Sequence, residues 1–153
     1  MAGTDREVSA GGVLVRSAPG GHEVCLILRH RHGEAVWGLP KGHVELSEDP
    51  LDTARREVAE ETGWVGEVLQ RLGDICYEFR GPGTQRRVAK TVTFYLMRCA
   101  GSTGRESDPR EVDAVQWLPF DQAIATVAYD NERDVLRTAQ RALAVPPPAG
   151  QGR

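Results

Sequence analysis

A short helix with clear start and stop signals is the feature that most constrains the fold of this chain. Asp49 suits the N-cap, and Pro50 follows at the first helical position, where its missing N–H costs no hydrogen bond. Gly63 stands where helices commonly end in a left-handed residue. These signals predict a helix over residues 50–62.

The apolar residues of this helix predict which of its sides is buried. Leu51, Ala54 and Val58 recur at i, i+3 and i+7, so they are expected to face the core. The acidic side chains of the helix lie beside this stripe. We therefore expect them at the edge of the core rather than in open solvent.

Three glutamates occupy neighbouring positions on the same helix. Glu57, Glu60 and Glu61 are spaced i, i+3 and i+4, and like charges at these spacings cost an isolated helix about 0.2–0.5 kcal/mol per pair. A divalent cation reverses the sign of this effect, because Mg²⁺ and Mn²⁺ prefer clustered carboxylate oxygens. The spacing therefore predicts a platform for a metal ion.

Strand-like segments lie on both sides of the helix along the chain. Runs rich in Val, Ile, Leu and aromatic residues predict strands at 8–16, 24–29, 64–73, 74–81, 90–99 and 112–118. Helical spacing follows at 120–127 and 132–144, whereas the glycines and proline of 36–42 favour an irregular loop. The pattern predicts an α/β fold with a mixed sheet flanked by helices.

Length and composition narrow the organisation and the partners. The 153 residues suit one domain, predicted over 1–145, and the Pro/Gly-rich tail 146–153 is expected to be disordered. A formal net charge of −3 excludes a strongly basic nucleic-acid footprint. No apolar run approaches the roughly 20 residues of a membrane span, and the N-terminus lacks the apolar core of a signal peptide. We therefore expect a cytoplasmic protein without a nucleic-acid or membrane partner, as a monomer or a homodimer.

A recognisable motif emerges when the helix is taken with the loop before it. Gly42, Glu48, Arg56, Glu57, Val58, Glu60, Glu61 and Gly63 match the fixed positions of the Nudix box, and Trp64 takes its final apolar position. The chain therefore resembles the Nudix hydrolases. The segments SAGGVL, WGLPKGHVE, KTVTFYL and VQWLPFDQA extend the resemblance to the branch that contains diadenosine polyphosphate hydrolases.

The resemblance implies a fold, a reaction and a set of roles. The fold would be an α/β/α sandwich, and the reaction would be hydrolysis of a nucleoside diphosphate linked to another group, with Mg²⁺ or Mn²⁺. Glu57, Glu60 and Glu61 would hold metal, together with the backbone carbonyl of Gly42. Glu57 would also activate water, and Arg56 would orient a helix carboxylate. Glu48 would support the loop or aid metal binding.

Further site residues are predicted outside the motif. Some relatives of this fold use a glutamate beyond the box as base or metal ligand, and Glu111 is the best candidate here, with Glu106 second. Lys41 and Lys90 are candidate phosphate ligands. Tyr77 and Tyr95 are candidates for stacking on a base, although aromatic residues in strands are more often part of the core.

The substrate is the least constrained feature of the sequence. The wider pattern favours a small nucleotide, with dinucleoside polyphosphates such as diadenosine tetraphosphate first. Damaged nucleoside triphosphates and diphosphoinositol polyphosphates stay open as alternatives. A non-catalytic ligand-binding module is disfavoured, because such modules usually lack one or more of the box carboxylates, and this chain has all of them.

Overall fold

The computed structural model describes residues 4–31, 33–81, 83 and 86–144, and the predicted tail 146–153 lies outside these ranges. Within them the chain forms seven β-strands and three α-helices. In chain order these are β1 (Thr4–Ala18), β2 (Gly21–Arg31), β3 (Glu34–Gly38), β4 (Lys41–His43), α1 (Pro50–Thr62), β5 (Trp64–Arg80), β6 (Arg87–Ser102), β7 (Ala114–Pro119), α2 (Phe120–Thr126) and α3 (Asp130–Ala144).

The strands form one mixed sheet around β1. Its main order is β3-β2-β1-β6-β5, while β4 pairs with β1 and β7 pairs with β2. The β1–β6 pair is parallel, with Ala10 opposite Thr93, and the other pairs are antiparallel. Residues 9–15 of β1 are all buried, as expected for a strand covered on both faces. The predicted α/β fold with a mixed sheet is confirmed.

Helices cover both faces of this sheet and create two separate cores. The larger core joins the sheet to α2 and α3 and includes Val13, Phe94 and Leu136. The smaller core lies under α1, where Leu14 and Val58 pack together. The layers therefore follow the α/β/α arrangement, and α1 and α3 lie on opposite faces. Among the described helices, none is both long and apolar enough to cross a membrane.

The boundaries of α1 agree with the predicted caps, but its buried stripe begins later than predicted. Ala54 and Val58 are fully buried, whereas Leu51 is 36% exposed, so its predicted place in the core was wrong. Helical side chains point back toward the N-terminus. A residue in the first turn therefore projects past the end of the helix even when it lies on the buried face.

Two other boundaries differ from the sequence-based expectation. The segment 36–42 is not irregular throughout, because β3 ends at Gly38 and β4 begins at Lys41. A Cβ at Gly11 would overlap the carbonyl oxygen of Pro40, so the glycine allows this segment to approach β1. The two strands predicted over 64–81 form a single strand, β5, in which Gly73 lies beside a bulge at a φ of +139° instead of forming a turn.

Candidate active site

The helix α1 is held at both ends by contacts that the sequence anticipates only in part. At its start, the Asp49 side chain accepts a hydrogen bond from the backbone N–H of Asp52 (2.9 Å). At its end, Gly63 has a φ of +78°. A Cβ there would lie 2.8 Å from the carbonyl oxygen of Arg105. Glycine therefore both ends the helix and lets the following loop cross close to it.

That loop, residues 103–113, brings acidic side chains to the C-terminal end of α1. The N–H of Thr103 donates to the carbonyl of Gly63 (2.9 Å), and the N–H of Asp108 donates to that of Glu60 (3.2 Å). The N–H of Glu111 in turn donates to the carbonyl of Asp108 (3.1 Å). Both Asp108 and Glu111 line the same cavity as the α1 glutamates.

Arg56 connects the helix glutamates with the loop before the helix. It donates from Nε and Nη2 to Glu48 (2.7 and 3.0 Å) and from Nη1 to Glu57 (2.7 Å) and Glu60 (3.3 Å). These hydrogen bonds from Arg56, with one from Thr53, lower the pKa of Glu48 to about 2. Arg56 thus compensates the repulsion among the acids and contacts the carboxylate that it was predicted to orient.

Glu57 packs directly against the backbone of β4. A Cβ at Gly42 would overlap the carboxylate of Glu57, so a larger residue at this position would displace that carboxylate. Burial raises the pKa of Glu57, the Arg56 guanidinium opposes the rise, and the negative charges of Glu60 and Glu111 add to it. A higher pKa makes this carboxylate a better proton acceptor than an exposed one.

Glu61 is the most buried of the three helix glutamates, at 2% exposure. It accepts hydrogen bonds from the backbone N–H of Lys41 (2.8 Å) and from Nη2 of Arg29 (2.8 and 2.9 Å). Burial raises its pKa to about 7, against the opposing effect of Arg29. Arg29 was not among the predicted site residues. The sequence signal that could have identified it is its place directly after the apolar run 24–28, where a charged residue needs a partner.

The ammonium group of Lys41 lies inside the protein rather than at its surface. Its Nζ pairs with Oε2 of Glu132 (2.9 Å), and Oε1 of Glu132 accepts from the N–H of Leu39 (2.8 Å). Glu132 was also not among the predicted site residues. Its signal was a carboxylate within the apolar stripe of α3, since the buried residues of that helix are Glu132, Val135, Leu136 and Ala139.

These elements enclose a cavity of about 400 Å³ beside α1. Its lining brings together most of the predicted site residues: Lys41, Gly42, Glu57, Glu60, Glu61, Lys90 and Glu111. The lining therefore carries both signs of charge, because the cations Arg29, Lys41 and Lys90 lie in it together with the glutamates.

The two predicted stacking residues do not line this cavity. Tyr95 is only 8% exposed and belongs to the core under α1, so its ring is not available to a base. Tyr77 is half-buried, with its ring centroid 6.1 Å from that of Phe79 and 5.9 Å from Nζ of Lys41. It lies beside the cavity, and its contact with a substrate stays a prediction.

The donor chemistry fits a hard divalent cation. The cavity is lined by several carboxylates and by the backbone of Gly42, and their oxygens are the ligands that Mg²⁺ and Mn²⁺ prefer. In the part of the chain that the structure describes, no three Asp, Glu, His or Cys side chains are grouped so that they could hold a metal ion as they stand. Instead, Arg56 and Arg29 pair with the glutamates. A metal would therefore compete with these arginines for the same oxygens.

Known proteins resemble this chain in sequence and in fold. The NUDIX domain model matches residues 5–139. The chain is 43% identical to the mutator protein MutT4 of Mycobacterium tuberculosis over 92% of its own length and 57% of that protein's. It is 37% identical to the 8-oxo-(d)GTP phosphatase of Mycolicibacterium smegmatis, over 84% of the chain and 40% of the relative. The chain thus spans about half the length of these two relatives.

A second group of relatives matches over most of its own length. The chain is 30% identical to the asymmetrical bis(5'-nucleosyl)-tetraphosphatase of Rattus norvegicus, over 80% of the chain and 82% of that enzyme. Among solved structures, the binary complex of a C. elegans Ap4A hydrolase has a TM-score of 0.67 at 25% identity, covering 90% of this chain and 98% of the other.

Proposed function

The chain belongs to the NUDIX domain family, and from this premise we propose that it hydrolyses a phosphoanhydride bond of a small nucleotide with the help of Mg²⁺ or Mn²⁺. The observation that carries the proposal is the cavity whose lining combines the α1 glutamates and Glu111 with basic side chains. An anionic polyphosphate requires cations near its oxygens, and a hydrolytic water requires a proton acceptor nearby. The cavity lining contains both kinds of group.

Carboxylates of the cavity lining would hold the metal. Glu57, Glu60, Glu61 and Glu111 are the proposed carboxylate ligands, with the backbone carbonyl of Gly42. A bound divalent cation neutralises phosphate charge and lowers the pKa of a coordinated water.

Three side chains have proposed roles in the reaction itself. Glu57, whose carboxylate lines the cavity, accepts the proton of the attacking water. Arg56 keeps that carboxylate in place through its hydrogen bond of 2.7 Å. Lys90, which lines the same cavity, contacts the phosphates.

Two substrate classes have separate support. Oxidised nucleoside triphosphates are supported by the 8-oxo-(d)GTP phosphatase. Dinucleoside tetraphosphates are supported by the rat enzyme, in which the matching region makes up most of the protein. We place the oxidised triphosphates first, because their relative is 37% identical against 30% for the rat tetraphosphatase.

A substrate panel in ¹⁸O-labelled water tests the proposal. The protein is incubated with Mg²⁺ and 8-oxo-dGTP, dGTP, diadenosine tetraphosphate, ADP-ribose or a diphosphoinositol polyphosphate, and the product that carries the label identifies the phosphorus attacked. Preference for 8-oxo-dGTP over dGTP supports the first class. Preference for diadenosine tetraphosphate supports the second. Faster turnover of either remaining compound contradicts both, and no metal-dependent hydrolysis of any compound contradicts the proposed function.

A further inference from the structure

A carboxylate far from α1 in the sequence contacts the backbone that supports the candidate active site. Glu132 lies in the first turn of α3 and is 2% exposed. Its two oxygens have different partners, since Oε1 accepts from the N–H of Leu39 at 2.8 Å and Oε2 pairs with Nζ of Lys41 at 2.9 Å. A buried glutamate is costly unless such partners compensate its charge.

The fit between Glu132 and the segment between β3 and β4 is also steric. A Cβ at Gly38 would lie 2.9 Å from Oε1 of Glu132, so a larger residue there would press on the carboxylate. One residue earlier, the carbonyl of Trp37 accepts a hydrogen bond from the N–H of Ala128 (3.0 Å), just before α3. Residues 37–41 are therefore hydrogen-bonded to α3 and the residues just before it at three positions, Trp37, Leu39 and Lys41.

The same segment contacts the catalytic candidates on its other side. The N–H of Lys41 donates to Glu61 (2.8 Å), and its carbonyl accepts from Nη2 of Arg29 (3.3 Å). The next residue, Gly42, packs against the carboxylate of Glu57. Any displacement of Lys41 therefore moves backbone atoms that contact two of the three helix glutamates.

We propose that Glu132 is a positioning residue of the candidate active site, which holds Lys41 and Gly42 against the α1 glutamates through its contacts with Leu39 and Lys41. The inference rests on the proposed function of that site. It also changes the role of Lys41: its ammonium anchors the segment to Glu132 and leaves phosphate contact to Lys90. A displacement of about 1 Å at a reacting group can lower a rate by about 100-fold, so the anchor matters for turnover.

The first test compares two acidic residues of α3. Glu132→Gln keeps the size of the side chain and an acceptor for Leu39 but removes the charge that Lys41 requires. Asp134→Asn is the matched control, because Asp134 lies in the same helix with a side chain that is 75% exposed. We expect kcat to fall between about 10-fold and 100-fold for Glu132→Gln with KM within about twofold, and no change for the control. Equal kinetics for both variants would overturn the inference.

A double substitution separates an anchoring Lys41 from a phosphate ligand. Lys41→Met and Glu132→Gln remove the same ion pair, so the double variant should be no slower than the slower single variant. It also leaves no unpaired charge, which preserves a folded protein if Glu132→Gln alone unfolds. If the two effects instead multiply and Lys41→Met raises KM for the substrate, Lys41 binds phosphate and the proposed anchor is wrong.

Hydrogen exchange provides a measurement that does not depend on activity. The Leu39 amide donates to Glu132, so Glu132→Ala should speed its exchange at least about tenfold, while Asp134→Asn leaves it unchanged. An unchanged exchange rate of the Leu39 amide in Glu132→Ala would contradict the positioning role of Glu132. If the wild-type protein hydrolyses no compound of the panel, the proposed function fails, whereas an active wild type with a fully active Glu132→Gln variant defeats only the positioning role.

Discussion

The helices α1 and α3 are related to the candidate active site in different ways, because α1 lines its cavity and α3 contacts one of the lining residues. In α1, three glutamates lie within five residues and two arginines from α1 and β2 pair with them at the edge of the core. In α3, a single fully enclosed glutamate reaches the site across 91 positions of sequence, through its ion pair with Lys41. The comparison indicates that three of the proposed metal ligands and Arg56 lie close together in the sequence, whereas Glu132 acts from a distant element.

The largest effect is expected from a change in α1 that removes one charge and little packing. Glu57→Gln should lower turnover by about 10²–10⁴-fold, because the amide cannot accept the proton of water. Its unfolding midpoint should stay close to that of the wild type. Steady-state rates with Mg²⁺ measure this, and Glu67→Gln on β5, paired with Arg98 at the surface, is the control. Full activity of the Glu57 variant would remove Glu57 from the proposed mechanism.

A change in the backbone beneath the same carboxylate should have the next largest effect. The Cβ of Gly42→Ala would overlap the Glu57 carboxylate and force it to move, so turnover should fall by about 100-fold with Glu57 still present. Gly20→Ala controls for the loss of a glycine, since its Cβ meets nothing within 4 Å, although its φ of +88° adds strain of about 1 kcal/mol. Comparable activity of the two variants would show that the position of Glu57 is not critical.

The third change tests whether the buried Glu61 of α1 depends on its ion pair with Arg29 of β2. Arg29→Met leaves Glu61 buried without its counter-charge and should cost about 3 kcal/mol of unfolding free energy at pH 8. The folded pKa of Glu61 is already raised from 4.5 to about 7, so the folded state binds a proton that the unfolded state releases. The stability of the variant should therefore rise as the pH falls from about 8 to 5.

Denaturant unfolding of the metal-free protein across this pH range measures the effect. The double variant Arg29→Met, Glu61→Gln is the control, because it carries no unpaired charge and should regain most of the lost stability at pH 8. A pH-independent loss in Arg29→Met would mean that the missing packing of the arginine, rather than the charge of Glu61, is responsible.

The smallest effect, a change in stability, is expected for Glu48, which lies in the loop before α1. Glu48→Gln removes the carboxylate whose pKa the Arg56 hydrogen bonds hold at about 2, below its ordinary 4.5. The stabilisation is complete above about pH 4.5 and is lost as the pH falls toward 2. The melting temperature of the variant should thus lie slightly below that of the wild type at pH 7, with the difference shrinking in acid. A difference that does not change with pH would show that the charge of Glu48 is not responsible.

Local signals explain which predictions were confirmed. Asp49 and Gly63 bound α1 as predicted, since an N-cap and a left-handed end act within one turn of the chain. The mixed sheet also followed from runs of β-branched residues. Leu51 and the segment 36–42 were predicted wrongly, because the exposure of a first-turn side chain and the pairing of β4 with β1 depend on what packs nearby.

The sequence by itself determined the acidic helix, its caps and the family motif, because all of these arise from residues that lie close together along the chain. The tertiary structure alone decided which charges meet. Arg29 reaches Glu61 because β2 lies beside α1, and Glu132 reaches Lys41 because α3 packs on the opposite face of the sheet. A buried charge is stable only with a partner, and the partner is supplied by the packing of distant elements.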